Sequence, residues 1–172
     1  MTAKRWYPLV GVVAAALVVA ALLAARSTSD SADPEAGGEG LTASFELLDG
    51  GTGSFADYRG TPLVVNFFAS WCVPCLAEMP GFERVHQDLD GEVGFLGINL
   101  QDRVEDGVRV VEQTGVTYDI ARDPDGSLFQ SFGGFAMPTT VFVDADGTVV
   151  DLRSGEISAS ELADRIRQVL LS

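Results

Sequence analysis

The sequence predicts an α/β domain: a mixed central sheet with helices on both faces and an N-terminal β-hairpin extension. Three observations point there. Leu63-Val64-Val65-Asn66-Phe67-Phe68 and the run from Val93 to Leu100 are almost continuously apolar, as strands covered on both faces must be. Strand and helix patterns alternate between and beyond them. A hairpin signal and a capped helix close the chain.

The 172 residues leave room for one domain and an extension, at about 150 residues per domain. Leu9 to Ala25 is an uncharged run of seventeen. It would span roughly 26 Å as a helix, against a bilayer core of about 30 Å. Lys4 and Arg5 precede it and place residues 1–8 in the cytoplasm by the positive-inside rule, with Trp6 and Tyr7 at the interface. The expectation is an uncleaved transmembrane signal anchor over 9–25, single-pass in the cell membrane, with everything after it extracytoplasmic. A cleaved signal peptide giving a secreted form is the alternative. The run is long for that, and Arg26 interrupts its Ala-rich end, leaving Ser27 and Ser29 as a weak site. Either way the domain is exported. No cysteine stands near the run, so a lipid-anchored form is excluded. Residues 26–40 hold Ser, Gly and acid without large apolar side chains and read as a flexible linker.

Residues 41–172 form the expected domain. Leu41 to Leu48 alternates as a first strand, and Asp49-Gly50-Gly51 turns it toward a short strand near Ser54-Phe55. Gly60-Thr61-Pro62 opens the central strand, and Trp71-Cys72-Val73-Pro74-Cys75 leads into a helix reaching about Leu89. After Leu100, Asp102 and Glu105 suggest a box-like helix start, with Val104, Val108 and Val111 on one face and an end near Gly115. Asp123-Pro124-Asp125-Gly126 is a turn followed by a short helix through Phe129. Thr139 to Val143 and Thr148 to Leu152 flank Asp144-Ala145-Asp146-Gly147 as a hairpin. Ser158 with Glu161 caps a last helix whose Leu162, Ile166, Val169 and Leu170 face inward. No internal repeat is evident.

All 25 acids follow position 26, against eight arginines and no lysine, a net −17 for that part. This argues against nucleic acid and anionic lipid as partners. Two cysteines three apart in an exported chain cannot make a disulfide framework. A cysteine where a buried strand meets a helix faces the unpaired N–H groups of that helix. An anion there gains roughly 0.3–1 kcal/mol, up to about 2, so the Cys72 thiol could fall by around one pKa unit. Its thiolate is the form that attacks disulfides. Cys75, one turn on, can resolve a mixed disulfide by closing the Cys72–Cys75 bond. Pro74 is tolerated in the first turn because its missing N–H would be unpaired anyway.

Two other readings fit less well. A zinc site needs four ligands, and the chain has only two cysteines and His86, read as an ordinary helix-surface residue, so no metal is expected. A purely structural bridge over so short a loop contributes only roughly 2 kcal/mol, against about 3 for fifteen residues.

The landmarks, in order, are Val65-Asn66-Phe67-Phe68-Ala69-Ser70-Trp71-Cys72-Val73-Pro74-Cys75, Glu78-Met79-Pro80, Asp123-Pro124-Asp125-Gly126 and Met137-Pro138-Thr139-Thr140-Val141-Phe142-Val143-Asp144 with Asp146-Gly147. From Leu41 to Leu170 the sequence resembles the thioredoxin superfamily, and within it the TlpA/ResA group of membrane-tethered thiol-disulfide oxidoreductases. Peroxiredoxins, whose domain is similar, carry a Thr and a Pro just upstream of the reactive cysteine, where this chain has Phe68-Ala69-Ser70-Trp71.

The resemblance implies a thioredoxin-like fold and a cis-proline at Pro138 that faces the redox pair. The backbone of Met137 would then form a rung for an extended substrate peptide, in a binding surface with Trp71. The alternative for Met-Pro-Thr-Thr is the ordinary start of a strand. Asn66 stands where thioredoxin has a buried Asp, and Glu78 supplies a carboxylate instead. On a helical wheel Glu78 falls between Val85 and Leu89, inside the apolar stripe. Burial there would raise its pKa and make it a proton exchanger for Cys75; the alternative is a solvated first-turn acid. Pro80 is expected to kink this helix. Gly134 and Ala136 depart from the pattern before the cis-proline, which leaves the loop's substrate preference open.

The implied activity is reduction of disulfides in exported proteins, such as CxxCH segments of apocytochrome c during cytochrome c maturation. A membrane thiol-electron carrier would supply the electrons. No cofactor is implied, and a monomer is expected. An exported disulfide-forming oxidant and a non-catalytic partner-binding module are the alternatives.

Overall fold

The computed structural model describes residues 43–172. The expected cytoplasmic segment, anchor and linker lie outside the described residues. No helix among the described residues is long and apolar enough to cross a membrane.

Ser44–Glu46 (β1) and Thr52–Ser54 (β2) pair antiparallel, which gives the expected hairpin extension. A bridge from Leu47 to Ala121 ties it to the main sheet. Ser54 then caps a 3₁₀ turn, Phe55–Tyr58, through a capping box with Asp57. Leu63–Phe68 (β3) is buried at every position. It lies between Gly94–Leu100 (β4), which is parallel to it, and Thr139–Val143 (β6), which is antiparallel. Asp119–Asp123 (β5) and Val149–Ser154 (β7) complete a five-stranded sheet of order β5-β4-β3-β6-β7. The sheet is mixed, and the run read as central is central.

Each face has its own core. Val64, Phe68 and Phe95 pack with Val85 from Val73–Leu89 (α1), Val110 from Val104–Thr114 (α2), and Leu162 and Ile166 from Ala159–Val169 (α4). On the opposite face Val65, Phe67, Leu96 and Ile98 meet Phe45, Phe55 and Phe132, with Leu128 and Phe129 of Ser127–Ser131 (α3) alongside. Alternation along β3 sends its side chains to the two faces in turn. The Ser158–Glu161 capping box opens α4 as expected, and Pro80 lies inside α1, which runs on to Leu89.

Three local expectations are corrected. The N-cap of α2 is Arg103, without a side-chain cap. Asp102 makes no box with Glu105 but turns back to the end of β3 and β4. The buried face of α2 is Gly107, Val110 and Thr114, while Val104 and Val108 are exposed. Gly107 decides this: an added Cβ would lie 2.5 Å from Asn99 Oδ1, so the helix seats its glycine where a valine could not fit. His86 is half-buried and packs against Phe95 and Tyr118. Phe95 on β4 makes that side of α1 apolar, which periodicity around a lone histidine does not reveal.

Candidate active site

Four segments leave the sheet at one pole. Phe68 pairs with Asn99 at the ends of β3 and β4, and Phe67 pairs with Thr139 at the start of β6. Thr139 in turn pairs with Ser154 at the end of β7. Residues 69–75, 101–103, 137–138 and 155–157 therefore gather outside the carboxyl ends of the parallel strands, where open α/β sheets place their chemistry.

Cys72 and Cys75 form a disulfide with Cα atoms 5.3 Å apart. A turn closed by the Cys72 N–H donating to Ala69 O delivers Cys72 to the N-cap of α1. There its Sγ accepts from the Cys75 N–H at 3.3 Å. The cap position follows from sequence: β3 ends in a turn, and Pro74 starts a helix without losing a needed N–H. Both cysteines are buried, yet Trp71 and Val73, on either side of Cys72, are 58 % and 78 % exposed. The redox pair thus sits under an apolar rim.

Glu78 is buried at 4 % exposure, inside the apolar stripe as the wheel places it. Its Oε1 accepts from Asn66 Nδ2 at 2.9 Å, and its Oε2 accepts from the Ile157 N–H at 3.0 Å. Burial pushes its pKa up to about 7; the two hydrogen bonds oppose the shift and the charge of Glu156 adds to it. Cys75 and Glu78 are three residues apart on one helix and both buried, a spacing that puts their Cβ atoms about 5–6 Å apart.

The Met137–Pro138 bond is cis. Pro138 is buried, and its carbonyl accepts from the Gly155 N–H at 2.8 Å. Met137 is half-buried and packs against both cores. Trp71, Met137 and Pro138 thus lie at the same pole as the disulfide. Among the described residues no His, Cys, Asp and Glu side chains cluster to hold a metal.

Sequence reasoning missed several neighbours. Ile157 contributes only a backbone N–H, which no side-chain pattern announces. Phe135, 79 % exposed, stands in the loop before Pro138; an aromatic between Gly134 and Ala136 was its one visible signal. Ser70, Asn99 and Asp102 are joined by hydrogen bonds, and nothing in their spacing marks them as partners.

A profile of the AhpC/TSA family matches residues 40–152. The thiol:disulfide interchange protein CycY of Rhizobium leguminosarum bv. viciae is 34 % identical over 101 residues, which cover 58 % of this chain and 53 % of CycY. The chain therefore spans about half the length of that relative. The thiol-disulfide oxidoreductase ResA of Geobacillus thermodenitrificans is 25 % identical over 123 residues, 71 % of each chain. Among solved structures, MTB dsbF in its mixed oxidized and reduced forms superposes with a TM-score of 0.70 at 32 % identity, covering 75 % of this chain and 96 % of that one.

Proposed function

We propose a function from the premise that this chain belongs to the AhpC/TSA family and is a thiol-disulfide oxidoreductase of the TlpA/ResA/DsbE type. It acts outside the cytoplasm as a disulfide reductase of exported proteins, anchored by residues 9–25, with disulfide-bonded CxxCH segments of apocytochrome c as the favoured substrate. The reading is carried by one observation: a Cys72–Cys75 couple at the start of α1, backed on the same helix by a buried acid whose pKa is about 7.

In the reduced enzyme the Cys72 thiolate attacks one sulfur of the substrate disulfide. A mixed disulfide forms and one substrate thiolate leaves. Glu78 takes the proton from the Cys75 thiol, and the Cys75 thiolate attacks Cys72 Sγ. The second substrate thiolate leaves: the enzyme dithiol has been oxidised to the Cys72–Cys75 disulfide, and its two electrons have passed to the substrate, now a dithiol. A membrane thiol carrier returns the enzyme to the dithiol. A carboxyl with a pKa near neutrality suits this exchange, because it holds and releases a proton at the working pH. Trp71, Val73 and Phe135 offer an apolar rim, and Met137 a backbone rung, to an extended substrate.

The reduction potential tests the direction. It should lie nearer thioredoxin's roughly −270 mV than DsbA's roughly −120 mV. A value above about −150 mV would instead assign the couple to disulfide formation. A binding module without catalysis would leave insulin reduction at the uncatalysed rate.

A further inference from the structure

Asp102 accepts three hydrogen bonds at this pole and has no part in the exchange described above. It follows Gln101, whose φ of 52° is left-handed, a conformation that non-glycine residues hold only where their surroundings enforce it. Here the Gln101 N–H donates to Asp123 O at 2.9 Å. The chain is thereby turned off the line of β4, and the Asp102 carboxylate reaches back across the pole. Its Oδ2 accepts from the Ser70 N–H at 2.6 Å and from Asn99 Nδ2 at 2.7 Å; its Oδ1 accepts from Ser70 Oγ at 2.7 Å. Asn99 is buried and has Gly107 of α2 pressed against it. The carboxylate therefore joins a fixed point on β4 to Ser70.

Ser70 lies inside the turn that closes from the Cys72 N–H to Ala69 O. Two of the three bonds to Asp102 hold that one residue by its backbone and its side chain. We propose that Asp102 is a positioning residue for the redox couple: it fixes the Ala69–Cys72 turn so that Cys72 Sγ stays aligned with the N–H groups at the start of α1. The inference rests on Cys72 being the attacking thiol. Comparing the alkylation rates of the two reduced cysteines checks that reading on its own, whereas the titration of Cys72 tests Asp102 directly.

Two effects of Asp102 on Cys72 have opposite signs, so a pair of variants separates them. A negative charge nearby disfavours the thiolate, while alignment with the helix N-terminus favours it. Asp102→Ala removes both the charge and the three hydrogen bonds. Asp102→Asn removes the charge alone: its amide oxygen can accept from the Ser70 N–H and Asn99, and its NH₂ can donate to Ser70 Oγ.

The experiment titrates the Cys72 thiolate by its ultraviolet absorbance in reduced full-length protein carrying Cys75→Ala. It also measures the rate of attack on a small aromatic disulfide at pH 7. Asp102→Ala should raise the Cys72 pKa by about one unit and slow attack by about threefold, the loss of thiolate being partly offset by its greater nucleophilicity, while Asp102→Asn, which keeps the hydrogen bonds, leaves the pKa at or below the wild-type value. Ser70→Ala, which loses only the hydroxyl contact, should move the same way by less. An unchanged Cys72 titration in Asp102→Ala with native circular dichroism would reduce Asp102 to a structural role and overturn the proposal. An equal fall in pKa in both Asp102 variants would overturn it too, as a through-space charge effect. Should Asp102→Ala fail to fold, an unaltered titration in Ser70→Ala decides against it.

Discussion

Glu78 Oε1 and Asn66 Nδ2 are joined by a 2.9 Å hydrogen bond between two buried side chains, one on α1 and one on β3. Asn66 Oδ1 has no partner among the described residues. The amide can thus serve either charge state of the acid. Its NH₂ donates to the carboxylate, and after a half-turn its oxygen can accept from the protonated form. With the Glu78 pKa at about 7, both forms are populated at neutral pH.

Glu78→Gln keeps the shape but cannot carry the proton. Its amide oxygen can accept from Ile157, and its NH₂ can donate to Asn66 Oδ1, so the fold should hold. Turnover should fall by about 10²-fold, the low end of acid–base effects, and the pH–rate limb near 7 should vanish. Two groups that exchange a proton share macroscopic pKa values, so in the reduced enzyme that limb is to be read as belonging to the pair. Steady-state insulin reduction across pH measures it; a wild-type profile in the variant would remove Glu78 from the proton path.

The same shift sets a stability slope. The folded pKa of about 7 exceeds the unfolded value near 4.3, so the folded state binds the proton more tightly. Its contribution is complete below the unfolded pKa and is lost as pH rises through the folded one. Wild-type stability should therefore decline between about pH 4.5 and 7 relative to Glu78→Gln, by up to ~3 kcal/mol. Urea denaturation of the oxidised proteins at several pH values reads the difference. Parallel curves would mean that Glu78 is not the titrating group.

The cysteines should divide the work. Cys72→Ser should abolish insulin reduction, and Cys75→Ala should trap substrate as a mixed disulfide on Cys72. Mass spectrometry after alkylation identifies the faster thiol; finding Cys75 ahead of Cys72 would exchange their roles.

For the anchor, fractionation should recover the full-length chain in membranes, with the domain open to protease added from outside. A soluble mature form starting near Asp30 would show that residues 9–25 are a cleaved signal instead.

Much of the site was legible because it is written locally. The apolar run Leu63–Phe68, the turn, Pro74 and the helix behind it put Cys72 at a helix N-cap, with no long-range contact needed. Glu78 was readable as inward-facing because a 3.6-residue period fixes which side chains share a stripe. The capping box at Ser158 and the turn at Asp144–Gly147 were likewise legible from neighbours alone.

What the sequence by itself determined, then, was each element and the orientation of residues within it: the cysteine pair, the acid one turn along, the strand behind them. Only the tertiary structure decided which distant groups meet. The Ile157 N–H finds Glu78 across 79 positions and Ser70 finds Asp102 across 32, because sheet order and register bring those chain ends to one pole. The same holds for α2, where Asp102 left the expected helix box for Ser70, and Gly107 rather than Val104 or Val108 faced the sheet. Periodicity specifies a stripe on a helix, but which edge of it is buried depends on the space a neighbour such as Asn99 leaves, and close packing settles that only once the strands are in place.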